Sequence, residues 1–235
     1  MTISRDRGVN CKGRRRDFLG GARLAKIAGM NAQEPILHPV AIAQLRPTQI
    51  TVGMHEVNQK RDHWRRLTAE KGGAYLGRHM IPTVIGPKGR HYLTDNHHLA
   101  RAMMEEDVAE VLVTVQADLS ALSKESFWRY LDNRALCHPY DAEGHRVSFD
   151  EIPASVAKLV DDPYRSVAGN LRHVGGYSKD MTPFSEFLWA DFLRGRIKRK
   201  AIEKEFGASL EKALKLAKSD AASYLPGWCG VDPIG

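Results

Sequence analysis

The sequence predicts an α+β fold, with a mixed α/β core over residues 35–118 and an all-helical domain over 119–235. Three observations carry this. Residues 110–116 (Glu-Val-Leu-Val-Thr-Val-Gln) alternate and are rich in β-branched side chains, the pattern of a strand. The apolar runs 81–86 and 91–94 flank Pro87-Lys88-Gly89, which reads as a hairpin. Beyond Asp118 no such strand pattern returns, and apolar residues recur at helical spacing instead.

The elements follow in order. Residues 38–45 read as a strand that ends at Arg46-Pro47-Thr48, because proline disfavours helix at the residue before it and can open a turn. Residues 57–71 are polar and helix-prone, with Trp64 and Leu67 as an i, i+3 apolar pair, and Gly72-Gly73 is expected to stop that helix. After the hairpin, residues 96–106 form a helix with Leu99, Ala102 and Met103 on its inner face. Residues 123–134 form another, behind a serine cap with Ser126 three positions on. A loop is expected over 138–149. Further helices are expected at 153–160, 163–172, 183–198 and 201–219, the first three with proline at their first position.

At 235 residues the chain is long enough to bury a substantial core. The net charge of +7 favours anionic partners, but it is unevenly placed. Residues 1–30 hold Arg5, Arg7, Lys12, Arg14, Arg15, Arg16, Arg23 and Lys26 against only Asp6 and Asp17, so this segment supplies six of the seven charges. The remainder is close to neutral, and the basic balance is weak evidence for nucleic-acid binding. Residues 1–34 read as a basic, disordered arm, or as sequence ahead of a start at Met30. Arg14-Arg15-Arg16-Asp17-Phe18-Leu19 looks like a twin-arginine export signal, but Arg23 and Lys26 interrupt the apolar stretch that should follow. A cytoplasmic protein is therefore expected, with twin-arginine export as the alternative. Cys11, Cys137 and Cys229 form no CxxC motif or disulfide framework, which suits a reducing compartment. No run of eighteen apolar residues is present, so no membrane partner is expected.

The chemistry concentrates at Thr94-Asp95-Asn96-His97-His98-Leu99-Ala100-Arg101. A strand ends there, the chain turns and a helix begins at Asn96 or His97. The first N–H groups of a helix have no intrahelical partners and the macrodipole is positive at that end, which favours an anion, phosphate above all. His97 and His98 add donors in the first turn, Arg101 lies a turn further on, and Asp95 stands beside the anion as a cap or a catalytic carboxylate. A plain helix cap would use the same residue types. A metal site is not expected, because adjacent histidines point to different sides of a helix and no third ligand stands at a usual spacing.

The run Val84-Ile85…Gly89…Tyr92-Leu93-Thr94-Asp95-Asn96-His97-His98-Leu99-Ala100-Arg101-Ala102 resembles the motif of the ParB/sulfiredoxin superfamily. There a strand leads through an Asp-Gly-His-His-Arg turn into a helix. The segment Leu45-Arg46-Pro47-Thr48-Gln49…Gly53 is similar to that superfamily's first box, and the resemblance spans residues 36–117. It is closest to the ParB-like nuclease group. Pro163-Tyr164-Arg165-Ser166…Gly175-Gly176-Tyr177…Phe184…Glu186-Phe187-Leu188-Trp189-Ala190-Asp191-Phe192 looks like that group's own extension.

The resemblance implies nucleotide binding at the turn. The superfamily includes CTP-hydrolysing DNA-segregation clamps, ATP-using sulfinic-acid reductases and ADP-dependent serine kinases. The kinase motif, with its aspartate and paired histidines, is nearest. Carried over, Asp95 and Glu56 are the catalytic carboxylates, and His97 and His98 are catalytic and phosphate-holding. Asn96, Arg101, Thr48 and Gln49 complete the expected phosphate or nucleotide site. The ligand is then ATP, ADP or CTP, with Mg²⁺ as a companion, or a phosphorylated small molecule. Nucleic acid is a further candidate partner, and the oligomeric state is open. Asn96 stands where the motif has glycine, and asparagine tolerates left-handed geometry better than most residues. Leu99 stands where the motif has arginine, so cationic help is expected from Lys60, Arg61 or Arg78-His79. The sulfiredoxin chemistry itself needs a cysteine in this turn, and there is none.

Two other patches are noted. Arg172-His173-Val174-Gly175-Gly176-Tyr177-Ser178-Lys179 reads as a glycine-capped helix end, or as a lid or substrate loop using His173, Tyr177 and Lys179. Residues 194–200 read as a solvated basic helix end. The expected activity is nucleic-acid hydrolysis or nucleotide-dependent phosphotransfer. The rival is a non-catalytic, DNA-associated partition-type adaptor, which calls for a helix-turn-helix after the core.

Overall fold

The computed structural model describes residues 38–67 and 69–230. The expected basic arm, the twin-arginine-like run and Met30 lie outside the described residues. Strands β1 (His38–Ala41), β3 (Ile81–Gly86), β4 (Arg90–Leu93) and β5 (Glu110–Asp118) form one sheet in the order β1-β5-β3-β4. β5 lies antiparallel to β1 and parallel to β3, and β3 and β4 form the predicted hairpin. Helix α3 (His97–Glu105) makes the crossover from β4 to β5.

Two layers cover the sheet. On one face Val40, Ile81, Leu93, Val111 and Val113 pack with Leu99 and Met103 of α3 and Val57 of α1 (Met54–Arg66). On the other, Val84 and Tyr92 meet Phe127, Trp128 and Leu131 of α4 (Lys124–Asn133). A third cluster joins α5 (Pro163–His173), α6 (Ser185–Arg194), α7 (Arg199–Lys204) and α8 (Phe206–Ala217) around the fully buried Trp189. The described residues therefore form a mixed α+β core continued by helices, as predicted. The helical part also returns to the core. β6 (Val160–Asp161) pairs parallel with β2 (Thr51–Val52), and α5 packs on α1.

Several elements differ from expectation. The strand expected over 38–45 ends at Ala41, and Ile42–Gln44 form a 3₁₀ turn that delivers Leu45 to the core. Gly72-Gly73 do not stop a helix. α1 ends at Arg66, Leu67 is extended, and α2 (Ala69–Arg78) contains both glycines. A Cβ on Gly72 would sit 3.3 Å from the Trp64 ring, so close packing of α2 on α1 outweighs glycine's poor helix propensity.

The helix expected at 153–160 is instead a 3₁₀ turn, Val156–Lys158, running into β6, where Val160 N–H donates to Ile50 O (2.9 Å). Sheet pairing claims those backbone groups. Of the three prolines expected at first helical positions only Pro163 holds one, behind Asp162, whose carboxylate accepts the Tyr164 N–H (3.0 Å). Pro183 precedes the left-handed Phe184 that starts α6. The helix expected over 201–219 breaks at Glu205, which lets Phe206 stack on His55 of α1 at 3.8 Å.

Candidate functional site

The β4–α3 turn positions the site. Asn96 adopts the left-handed conformation (φ 61°) and is the N-cap residue of α3. Its side chain does not cap the helix. Asn96 Nδ2 donates to Met80 O (3.1 Å), and the Asn96 N–H donates to Asp95 Oδ1 (2.7 Å). Asp95 is exposed and serves the turn rather than the first-turn amides. The N-terminus of α3 is thus left without a side-chain cap at the dipole's positive end, while its first residues, His97 to Ala100, are buried.

The two histidines turn inward, and both are buried. His97 Nε2 accepts the Thr48 N–H (3.1 Å), while Thr48 Oγ1 donates to Leu93 O (2.6 Å). His98 Nε2 accepts the Gly53 N–H (2.9 Å). A backbone amide can only donate, so each Nε2 carries a lone pair and each Nδ1 carries the proton. Burial holds both imidazoles well below their ordinary range, at about 3, with the charge of Arg165 nearby acting in the same direction. The expected phosphate-holding histidines are therefore neutral N–H donors, and they bind the first box to the turn.

Glu56 comes to this pair from the first turn of α1. Its Oε2 lies 3.6 Å from His98 Nε2, and its Oε1 lies 3.4 Å from Lys60 Nζ. Room for the carboxylate is made by Gly169 of α5, where a Cβ would sit 2.8 Å from Oε2. Gly53 is tighter still, since its Cβ would meet Ser166 N at 2.6 Å. Glycine at both positions lets α5 approach the β2–α1 turn closely. A cleft of about 630 Å³ opens beside Glu56, lined also by Gln59, Lys60, Lys71, Arg78 and His173. Among the described residues Lys71 and Arg78 form no ion pair.

The remaining expected residues divide. Gln49 is buried, donates through Nε2 to Thr51 O (2.6 Å) and pairs its backbone with His138. Arg101 does not reach the turn. It binds Glu105 (2.8 Å) and the Leu159 carbonyl (2.8 Å), fixing the segment ahead of β6. Arg61 is held by Glu106 (2.7 Å), whereas Lys60, Arg78 and His79 line the cleft. His173 also lines the cleft, but Tyr177 is core, its hydroxyl donating to Ala168 O (3.0 Å) and its ring stacked on Trp189. Lys179 is exposed. Arg194, at the head of the basic run 194–200, forms a part-buried pair with Asp162 (2.8 Å), while Arg196, Lys198 and Lys200 are exposed as expected.

Residues outside the expected set stand beside the histidines. Arg165 of α5 is buried, with its guanidinium 3.6 Å above the Phe187 ring. Its Nη2 lies 3.4 Å from Glu186, which binds Arg172 more closely (2.6 Å). His138 packs on Phe187 at 3.7 Å and is also held at about 3, first by burial and then by Arg165. Arg165 was visible in the extension motif, but its role depends on α5 folding back over the core. Among the described residues no group of three or more His, Cys, Asp or Glu side chains is placed to hold a metal ion, and no helix is long and apolar enough to cross a membrane.

Comparison with known proteins agrees with this architecture. A solved structure, protein Atu1540 from Agrobacterium tumefaciens, is similar at 48% sequence identity and a TM-score of 0.78, covering 84% of this chain and 100% of its own. No curated protein matches the chain significantly. A family model described as "Putative ParB-like nuclease" matches residues 38–195, from β1 through the end of α6 and so across both the histidine turn and Arg165. The chain belongs to this ParB-like nuclease family.

Proposed function

We propose that the protein is a phosphate-directed enzyme that hydrolyses a phosphoester of a nucleotide or nucleic acid at the junction of α3 and the cleft. The observation that carries this reading is the position of Glu56. Its carboxylate approaches the first turn of α3 on one side and lines a cation-bearing cleft on the other. A phosphoester would lie with its phosphate toward the uncapped N-terminus of α3 and the organic part in the cleft, near Lys60, Lys71 and Arg78. Glu56 then takes the proton of the attacking water as its oxygen bonds to phosphorus and the ester oxygen departs. Positioning and charge neutralisation supply the rest of the catalysis.

The cleft volume suits a nucleotide-sized ligand, which keeps ATP, ADP or CTP as candidates. Among the described residues no group of three or more His, Cys, Asp or Glu side chains is placed to cage Mg²⁺. Asp95, whose carboxylate holds the Asn96 amide, contributes to the turn's shape in this reading.

The test is hydrolysis of bis(p-nitrophenyl) phosphate, single-stranded DNA and RNA by wild type, Glu56→Gln and Asp95→Ala, with transfer from ATP, ADP or CTP measured in parallel. Glu56→Gln should lose roughly 100-fold or more in turnover, the scale of a general base, and Asp95→Ala much less. Equal turnover by wild type and Glu56→Gln would overturn the reading. Salt-dependent DNA binding without turnover would favour the adaptor instead.

A further inference from the structure

Burying a guanidinium is costly unless its charge and its N–H groups are met. Arg165 is only 4% exposed, yet its Nε and Nη1 find no protein acceptor. Among the described residues its ion-pair partner is Glu186, which stands at 3.4 Å and is drawn to Arg172 at 2.6 Å. Arg165 is therefore under-neutralised where most buried arginines are satisfied.

Its location gives that deficit a direction. A closed circuit of contacts runs through the histidine turn. His97 accepts from Thr48 N–H, and the Thr48 carbonyl accepts from His138 N–H (2.8 Å). The His138 ring packs on Phe187, and Phe187 carries the Arg165 guanidinium on its face. The next residue, Ser166, abuts Gly53, whose N–H returns to His98. Arg165 thus closes a ring that begins and ends at the uncapped first turn of α3. Of the charges that act on His98, Arg165 and Lys60 oppose its protonation and Glu186 favours it, with the Glu56 carboxylate 3.6 Å from its Nε2.

Resting on the phosphate-site reading above, we infer that Arg165 is the oxyanion anchor of this site, its Nε–H and Nη1–H binding a phosphate oxyanion lodged between the guanidinium and the first turn of α3. It supplies from α5 the cation that Leu99 does not supply within α3. The ligand class is a phosphate group, free or as the terminal group of a nucleotide, and the negative charge completes the neutralisation that Glu186 shares with Arg172. Lysine is a poor substitute, because it presents a point charge and cannot lie flat on Phe187 while directing several N–H groups.

The test is calorimetric titration of the full chain with inorganic phosphate and, separately, a nucleoside monophosphate, for wild type, Arg165→Lys and Glu56→Gln. Crystals of wild type soaked in tungstate, a heavy phosphate mimic, are examined alongside. Phosphate affinity should fall at least tenfold in Arg165→Lys and should not fall in Glu56→Gln, which removes a neighbouring negative charge, and tungstate should lie within hydrogen-bond distance of Arg165 Nε or Nη1. A monophosphate that binds tighter than phosphate, with the same Arg165 dependence, identifies the nucleotide as the phosphate's source. Unchanged phosphate affinity in Arg165→Lys, no phosphate binding by wild type, or tungstate remote from Arg165 each overturns the inference. If Arg165→Lys does not fold, the wild-type tungstate position decides. Retained turnover in Glu56→Gln with phosphate on Arg165 would sink the hydrolytic reading and leave the anchor standing.

Discussion

Helices α3 and α4 begin in opposite ways. At α4 the Ser123 hydroxyl accepts the Ser126 N–H (3.2 Å), so the helix closes its own end with a residue beside it in sequence. At α3 the N-cap residue is a left-handed asparagine whose side chain turns away to Met80, and the first two helical side chains fold inward to accept amides from Thr48 and Gly53. One start is satisfied locally. The other is held in place by distant segments and keeps its amides free of side-chain caps. A helix end that spends its nearby polar groups on tertiary contacts is a poor stability device and a good place to receive an anion.

The sharpest way to break the contrast is to remove the distant support of α3. In Gly53→Ala the new Cβ would stand 2.6 Å from Ser166 N and 2.8 Å from Ser166 Cα, and backbone cannot swing aside as a flexible side chain can. A loss of about 2–3 kcal/mol is expected, typical of overpacking, with phosphate binding weakened as the His98 contact shifts. Urea unfolding and phosphate titration of the same variant check both. A variant as stable as wild type would show that the β2–α1 turn is not pressed against α5.

Acid should act on the same support. His97, His98 and His138 are held from 6.5 down to about 3 in the folded protein, mainly by burial. Between those values the unfolded chain binds protons that the folded chain refuses. Their contribution is therefore fully present above about pH 6.5 and is lost as pH falls toward 3, at about 1.4 kcal/mol per pH unit for each group. Urea midpoints at pH 7, 6 and 5 should decline, while those at pH 7 and 8 should agree as far as these groups are concerned. His97→Gln should flatten the acid limb. An unchanged slope would mean that His97 is not held neutral.

The smallest effect belongs to the self-sufficient helix. Ser123→Ala removes one local cap and should cost about 1 kcal/mol in thermal or urea unfolding. Phosphoester turnover should not change, because the residue serves α4 alone. A loss of activity in this variant would mean that the two helix starts are coupled after all.

Much of this was legible before any tertiary contact. The Ser123 start, the hairpin across Pro87-Lys88-Gly89 and the strand at 110–116, which the structure extends to Asp118, follow from neighbours a few residues apart. The Asp95-Asn96-His97-His98 turn was recognisable for the same reason, and Asn96 takes the left-handed conformation that its motif position asked of it. The misjudged elements share another cause. Gly72 sits within α2 because the Trp64 ring needs the space beside it, and residues 160–161 become strand because Ile50 and Val52 offer backbone partners. Arg101 looked available from its helix position, but the Leu159 carbonyl takes it.

By itself, the sequence determined the β3–β4 hairpin, which helix opens at the histidines and which residues stand there. These depend on local backbone preference and periodicity, which act within a few residues. Only the tertiary structure decided that the histidines are neutral, that Glu56 rather than Asp95 approaches them, and that Arg165 arrives from α5, stacked on Phe187, with its charge acting on them. Protonation and charge balance depend on burial and on distant neighbours, and those exist only once β6 and α5 have folded back against the core.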